Sequence, residues 1–265
     1  TELVGLLGDP RTRRAARTSL LRVPGPASDA MLDAVLAERS PEAGRQRIPR
    51  ILARTVDDDH IDTLAGALDA EHVPTREAAL ETLAHRRRAL PDAPLPAEAR
   101  KAAIAGAARG LTACGVLLDA WDEHNAIEDG RVLDTLRTAL RERIERSVDR
   151  LFLWFELGHS PARLRGIRAS LRSADRSRRE NAIELLEGIL TDGLRVRVVT
   201  LLDRLPTDDR ALATRRRTGD PERALRRLAT GTDGWMAAWA VNVAHRRNLR
   251  GVVESARTAA PATRE

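Results

Sequence analysis

The sequence predicts an all-α protein assembled from stacked helical hairpins. Three observations favour this fold class. No segment sustains the alternation of apolar and polar residues that half-buried strands show, five segments align without gaps as helix starts, and these starts recur at regular spacing. The starts lie near residues 9, 40, 72, 175 and 233, so the first four are separated by 31, 32 and 103 residues. Periods of this length with two helices each are typical of an α-solenoid.

The aligned segments share a pattern of small and large residues. Each segment opens with a turn or cap residue and continues as a helix, and the residue seven positions after the start is usually small, whereas the residue eleven positions after it is usually larger and apolar. Residues four apart lie on the same helix face, so the small one permits close helix packing and the larger one fills the core. The paired positions are Ala16 and Leu20, Arg47 and Ile51, Ala79 and Leu83, Ala182 and Leu186, and Ala240 and Ala244.

Second helices of the hairpins are predicted between these starts. They cover 27–38, 60–71, 97–111 and 193–203, and longer helices occupy 114–160. Proline and glycine clusters at Pro24 and Pro26, Pro91 to Pro96, Gly158 to Pro161, and Pro206 predict breaks between elements. We expect one repeat domain over 1–256 and a flexible tail over 257–265.

Composition excludes several protein classes. The chain has 265 residues, of which 42% are hydrophobic, enough to bury a core. Its single cysteine, Cys114, excludes a disulfide framework and disfavours a cysteine-based metal site. Without a run of 18 apolar residues we expect no transmembrane segment, and the amino terminus lacks the pattern of a signal peptide. Because the chain begins with Thr1, we expect that a segment upstream has been removed.

Arginine dominates the basic residues, since Lys101 is the single lysine. Codon bias explains such usage, and recognition of phosphate or carboxylate groups by guanidinium is the functional alternative. Residues 204–250 carry eleven arginines against five acidic residues, which predicts an acidic partner or an anionic membrane surface for the carboxyl-terminal half. Tyrosine is absent and only two Phe and four Trp occur, so stacking of single-stranded nucleic acid is disfavoured.

Two groups of residues are candidates for binding. An arginine cluster would bind anions such as lipid headgroups, acidic protein surfaces or phosphate. Its members are Arg215, Arg216, Arg217, Arg226, Arg227, Arg246, Arg247 and Arg250. Glu180, Glu184 and Glu187 share a helix face, where they could act as paired carboxylates or, with the arginines of the preceding turn, form ion pairs between stacked repeats.

Other constellations have structural interpretations beside functional ones. Asp57, Asp58, Asp59, His60 and Asp62 resemble an oxygen-rich cation site, but the pattern favours an acidic first helical turn with an aspartate cap. Trp121 with Asp122 could face a ligand or belong to a helix end over the core. Trp235 and Trp239, like Phe152 and Phe155, could anchor a partner or fill the core. Because no phosphate loop, nucleophile elbow or zinc-protease motif occurs, we expect no catalytic residue, cofactor or metal.

The repeats resemble HEAT repeats in length, in their Asp/Pro turn and in the Arg-x-x-Ala helix. Residues 130–250 resemble the HEAT region that follows the membrane domain of bacterial ADP/ATP-translocase-like, major-facilitator-type transporters. The resemblance is carried by the long helix ending in "LFLWFEL", the repeat "RENAIELLEGIL" and the late "DGWMAAW" helix start. It implies a right-handed HEAT-like solenoid and a cytoplasmic scaffold role, with tethering to the inner membrane through an upstream domain. It transfers no catalytic residue.

These features predict a non-enzymatic scaffold or regulatory module that binds a partner. An acidic protein surface or anionic lipid headgroups are the expected partners, with nucleic acid as a further option. The alternative function is a HEAT-like DNA-binding protein or an alkylpurine-DNA-glycosylase-like enzyme, in which Trp121 and Asp122 would face the lesion.

The triple substitution of Arg215, Arg216 and Arg217 by Ala tests the arginine cluster. We expect weaker capture of an anionic partner with an unchanged melting temperature, because surface substitutions away from packed or capped positions change stability little. Binding assays paired with thermal melts measure both quantities. Unchanged capture would remove these three residues from the binding surface.

Overall fold

The computed structural model describes residues 2–37, 47–124, 131–205, 221–231 and 234–259. Within these ranges the structure does not describe the side chains at 120, 122–124, 131–137, 192, 221, 224 and 235. About 79% of the residues are helical, and the described ranges contain no β-strand. The predicted all-α fold class is therefore confirmed.

Fourteen helices occur in the described residues. They are α1 (Glu2–Gly5), α2 (Arg13–Arg22), α3 (Pro24–Leu36), α4 (Ile48–Leu52), α5 (Asp58–Ala67), α6 (Val73–Ala89), α7 (Ala97–His124), α8 (Arg131–Gly158), α9 (Pro161–Leu171), α10 (Arg176–Glu187), α11 (Asp192–Asp203), α12 (Pro221–Ala229), α13 (Gly234–Arg246) and α14 (Arg250–Ala259). Proline at the first or second position of α3, α4, α6 and α9 fixes φ where no intrahelical N–H bond is needed.

The helices fall into two compact units. The first comprises Thr1–Arg109, Arg150–Ser173 and Ser177–Leu194, and the second comprises Gly110–Asp149, Ala174–Arg176 and Arg195–Glu265. The expectation of one repeat domain over 1–256 stays a prediction. Of the predicted tail, residues 257–259 belong to α14, and 260–265 lie outside the described residues.

In the first unit, helices that are neighbours in sequence pack on one another. Helix α3 contacts α1, α2, α4, α5 and α6, and α6 contacts α4, α5 and α9. Their shared core consists of aliphatic side chains that are less than 1% exposed, such as Val35, Leu52, Leu64 and Leu83. This burial supplies the main driving force for packing.

Aromatic side chains extend that core. Trp154 is 5% exposed, and its ring lies directly over Gly106, where an added Cβ would come within 2.5 Å of the ring. The guanidinium of Arg109 lies 5.9 Å from the same ring, within the range of a cation–π interaction. Phe152 and Phe155 are buried in a T-shaped pair with centroids 5.8 Å apart. The core interpretation of these two phenylalanines is confirmed.

A buried ion pair also crosses the first unit. Glu156 is 1% exposed and accepts two hydrogen bonds from Arg88, at 2.6 Å from Nε and 3.0 Å from Nη2. This bidentate geometry offsets the desolvation of the carboxylate. The pair joins α6 to the end of α8 across 68 residues of sequence.

The second unit contains a carboxyl-terminal three-helix group. Helices α12, α13 and α14 all pack against each other around Leu225, Met236, Ala240 and Val252, each at most 1% exposed. Elsewhere in this unit Trp121 is fully buried, with the guanidinium of Arg141 at 5.8 Å from its ring.

The structure tests the helix starts that the repeat alignment predicts. Helices α2, α6, α10 and α13 occupy four of the five aligned segments, and the fifth contains α4, with its first residues outside the description. Every aligned core position is buried except Arg47, which is exposed at the residue before α4. Helix α2 ends at Arg22 and α3 begins at Pro24, so the predicted break at Pro24 is confirmed, whereas Pro26 lies in the first turn of α3. Pro206 lies outside the described residues.

One segment of α7 bears on the membrane expectation. By length and composition alone, Ala97–Asp119 is long and apolar enough to cross a membrane. One face of this segment is buried within the protein, including Ala99, Ala107, Cys114 and Leu118. Since core helices of soluble proteins meet the same criterion, the absence of a transmembrane segment stays a prediction.

Two glycines of α7 give opposite expectations for stability. Gly106→Ala should lower the free energy of unfolding by about 1–3 kcal/mol, because its Cβ would collide with the Trp154 ring. A Cβ at Gly115 would have no atom within 4 Å, so Gly115→Ala should raise the free energy of unfolding by roughly 0.5–1 kcal/mol through helix propensity. Denaturant titration of both variants measures the difference. Equal effects would contradict the close approach at Gly106.

Candidate anion-binding surface

The turn between α13 and α14 brings three arginines together. Asn248 adopts a left-handed conformation with φ of 60°, a region that asparagine tolerates better than most residues. The N–H of Leu249 donates to the Ala244 carbonyl at 2.9 Å, and the N–H of Asn248 donates to the His245 carbonyl at 3.1 Å. These bonds form a Schellman motif, which ends α13 and reverses the chain.

Arg246, Arg247 and Arg250 flank this turn, and all three are exposed. Within the described residues none of them forms an ion pair with a carboxylate. Three like charges on a five-residue segment therefore face solvent on a backbone that the turn holds in one conformation. Such a cluster raises the local concentration of anions.

The neighbouring arginines of the predicted cluster are compensated. Arg226 pairs with Glu222 at 2.7 Å, one turn earlier on α12. Arg227 donates from Nη1 to Asp119 Oδ2 at 2.7 Å, and Asp119 Oδ1 accepts from Arg204 at 2.8 Å. Both oxygens of Asp119 are thus occupied by guanidinium groups. Sequence reasoning missed Asp119, because nothing in its local sequence marks it as their partner.

Gly251 connects the two groups of arginines. A Cβ on Gly251 would lie 3.1 Å from Glu222 Oε1 and 3.4 Å from Arg226 Nη2, so the Arg226–Glu222 pair rests against the start of α14. Arg250 is the adjacent residue. We call Arg226, Arg227, Arg246, Arg247 and Arg250 the C-terminal arginine surface; Arg215, Arg216 and Arg217 lie outside the described residues.

The candidate carboxylates lie on an outward face of α10. Glu180 and Glu184 are exposed and Glu187 is half-buried, while Ala182 and Leu186 bury the opposite face. No group of three or more His, Cys, Asp or Glu side chains that could hold a metal ion occurs in the described part of the chain. Their exposed position suits ionic contacts with solvent or a partner.

The acidic segment before α5 caps that helix. Asp57 accepts the His60 backbone N–H at 3.1 Å, which is the geometry of an N-cap, and Asp58 and Asp59 lie in the first turn. The His60 ring contacts Asp57 through Nδ1 and lies 3.0 Å from Asp29 through Nε2. The structural interpretation is confirmed here.

Trp121 and Cys114 belong to the core of the second unit. Trp121 is fully buried, so its ring cannot stack on a ligand in this structure, and the side chain of Asp122 lies outside the described residues. Burial raises the pKa of the Cys114 thiol to about 11, so the reactive thiolate is suppressed at neutral pH. Trp239 is half-buried, and the side chain of Trp235 is not described.

A second charged cluster, in the first unit, was not predicted from the sequence. Besides Arg88 and Glu156, it contains the ion pair between Arg150 and Glu77 at 3.0 Å. Burial, followed by Arg88 and Arg50, lowers the pKa of His85 to about 4. Burial and the nearby Glu77 raise the pKa of Glu81. Positive and negative groups alternate in this cluster, which indicates internal compensation.

Comparison with known proteins gives no matching family, no similar curated protein and no similar solved structure. The resemblance to HEAT repeats and to the transporter-associated region therefore stays a proposal.

Two histidines should produce opposite pH dependences of stability in separate pH ranges. The lowered pKa of His85 stabilises the fold above about pH 6.5 and loses this contribution as pH falls towards 4. The pKa of His60 is raised by hydrogen bonds to Asp57 and Asp29, which outweigh its desolvation, so its contribution is complete below about pH 6.5 and declines at higher pH.

Melting curves of the unsubstituted chain, His85→Gln and His60→Asn test this between pH 4 and 8. The difference in stability between the unsubstituted chain and His85→Gln should change only below about pH 6.5. Its slope should stay under about 1.4 kcal/mol per pH unit, because solvent screens the half-exposed ring. The difference in stability between the unsubstituted chain and His60→Asn should change only above that pH. A single shared range would contradict the two assignments.

Proposed function

We propose that this chain is a HEAT-like α-solenoid scaffold that binds an anionic partner protein through the C-terminal arginine surface. The observation that carries the proposal is the turn at Asn248. It presents Arg246, Arg247 and Arg250 to solvent with no carboxylate partner in the described ranges, while Arg226 and Arg227 beside them are compensated.

The solenoid part of the proposal is supported by periodic burial. The small residues Ala16, Ala79, Ala182 and Ala240 are each at most 2% exposed, as stacked repeats require. Helices adjacent in sequence also pack together within the first unit and within the carboxyl-terminal helix group. Each repeat of a solenoid contacts mainly its neighbours, and the array offers an extended binding surface.

We also propose a relation to the region that follows the membrane domain of translocase-like transporters. Of the three segments that carry this resemblance, the repeat "RENAIELLEGIL" begins within α10 and extends past its end, with Ala182 and Leu186 buried and Glu180 and Glu184 exposed. A cytoplasmic scaffold attached to an upstream membrane domain is the role that this relation implies.

Arginine side chains recognise carboxylates more specifically than an undirected positive charge does. Its planar guanidinium presents paired donors that match a carboxylate or phosphate in bidentate geometry. Unpaired surface charges also accelerate encounter with an oppositely charged partner. Asp119 illustrates the fit within this chain, since its two oxygens accept from Arg204 and Arg227.

Duplex DNA is the alternative partner, because phosphates bind the same guanidinium groups. The glycosylase form of that alternative has less support, since Trp121 is fully buried and cannot stack on a base in this conformation.

The test removes Arg246, Arg247 and Arg250 together by substitution with Ala. We expect binding of fluorescent polyglutamate, measured by anisotropy, to weaken by about tenfold or more, because charge-assisted contacts are lost. The melting temperature should change little. The matched control replaces Arg14, Arg17 and Arg22 on α2, which are also exposed and carry the same charge.

Equal weakening in both triple variants would show a response to net charge alone and would contradict the proposal. Binding to a duplex oligonucleotide that exceeds binding to polyglutamate, with a steep salt dependence that the triple variant lessens, would establish the DNA alternative instead.

A further inference from the structure

A groove runs along the exposed side of α14, the last described helix. Its volume is about 630 Å³, within the usual range of ligand clefts. Its walls include Ala244, Asn248, Leu249, Arg250, Val253 and Arg257. We call it the terminal groove.

The groove alternates charge and apolar surface along one helix face. Arg250, Val253 and Arg257 lie at i, i+3 and i+7, so their side chains share a face and the two arginines are roughly 10 Å apart along the axis. Ala244 is fully buried below, and Leu249 and Val253 are half-buried. The floor is therefore apolar, with a guanidinium near each end.

Charge in and around the groove is predominantly positive. Glu254 is the acidic residue of the lining, whereas Arg250 and Arg257 line it and Arg246 and Arg247 lie close by in sequence. In the described ranges neither Arg250 nor Arg257 forms an ion pair. An occupant with carboxylates at matching positions would meet both.

The surroundings favour a protein segment over a membrane or a nucleic acid. Helices that lie on membranes insert large apolar side chains, but none of the large hydrophobic side chains described in 221–231 and 234–259, which exclude Trp235, is exposed. No Phe, Tyr or Trp lines the groove and His245 supplies its one ring, so bases would find little stacking surface. The apolar floor, by contrast, matches the apolar face of a docked helix.

We propose that the terminal groove binds an acidic amphipathic helix of another protein, with two carboxylates seven residues apart against Arg250 and Arg257 and apolar side chains on the floor between them. This inference rests on the proposed scaffold function and specifies its partner.

The test uses a labelled synthetic helix of about 18 residues, long enough to retain helicity. It carries two Glu residues seven positions apart with Leu residues between them on the same face. In one comparison peptide both Glu residues are replaced by Gln. In the other the two Glu residues are five positions apart, so they no longer share a helix face. Anisotropy measures each affinity for the full chain.

We expect the matched peptide to bind at least about tenfold more tightly than either comparison peptide, because two charge-assisted contacts form on an apolar floor. Arg250→Ala and Arg257→Ala should each remove most of this preference, while Arg17→Ala on α2 should leave it unchanged. Thermal melts establish that the variants remain folded.

Equal binding of all three peptides would overturn the groove proposal. If all three peptides bind equally but polyglutamate binding still depends on Arg246 and Arg247, only the groove proposal fails and the scaffold proposal stands. Tighter binding to phosphatidylserine vesicles or duplex DNA that depends on Arg257 would also overturn the groove proposal. So would a large gain in peptide affinity on deletion of residues 260–265, since that result would make this chain's own terminus the occupant.

Discussion

Close approach of helices through small residues is the constraint on which the packing in both units depends. At Gly106 the Trp154 ring occupies the space that any side chain would need, and the small residues Ala79, Ala182 and Ala240 are buried. Helices that approach this closely gain many dispersion contacts, which together amount to a large stabilisation. A chain with two Phe and no Tyr has few large side chains to bridge wider gaps. The packing of its core therefore depends on the positions of small residues as much as on the positions of large ones.

Much of the fold could be predicted from the sequence because helix periodicity is local. Residues four apart share a face whatever the rest of the chain does, so Ala79 with Leu83 and Ala182 with Leu186 were assigned correctly to the core. Arg47 was not, because it precedes the short helix α4 and lies exposed. Helices α9, α12 and α14 were not predicted, although the apolar residues of α12 and α14 lie on one helix face.

The candidate site was less predictable, because charge pairing is not local. Composition located the arginines of the carboxyl-terminal half, but it could not separate compensated from uncompensated ones. The partner of Arg227 is Asp119, 108 residues earlier, and the partner of Arg88 is Glu156, 68 residues later. Only the folded arrangement shows that Arg246, Arg247 and Arg250 project without such partners in the described ranges. Asn248 determines their arrangement through its left-handed backbone.

The position of Trp154 has an optical consequence. It is the single tryptophan of the first unit, whereas Trp121, Trp235 and Trp239 all belong to the second, and the chain contains no tyrosine. Its indole is buried, so exposure to water on unfolding shifts its emission to longer wavelength. In a chain whose other three tryptophans are replaced by Phe, ultraviolet-excited emission would report the first unit alone, without an attached dye.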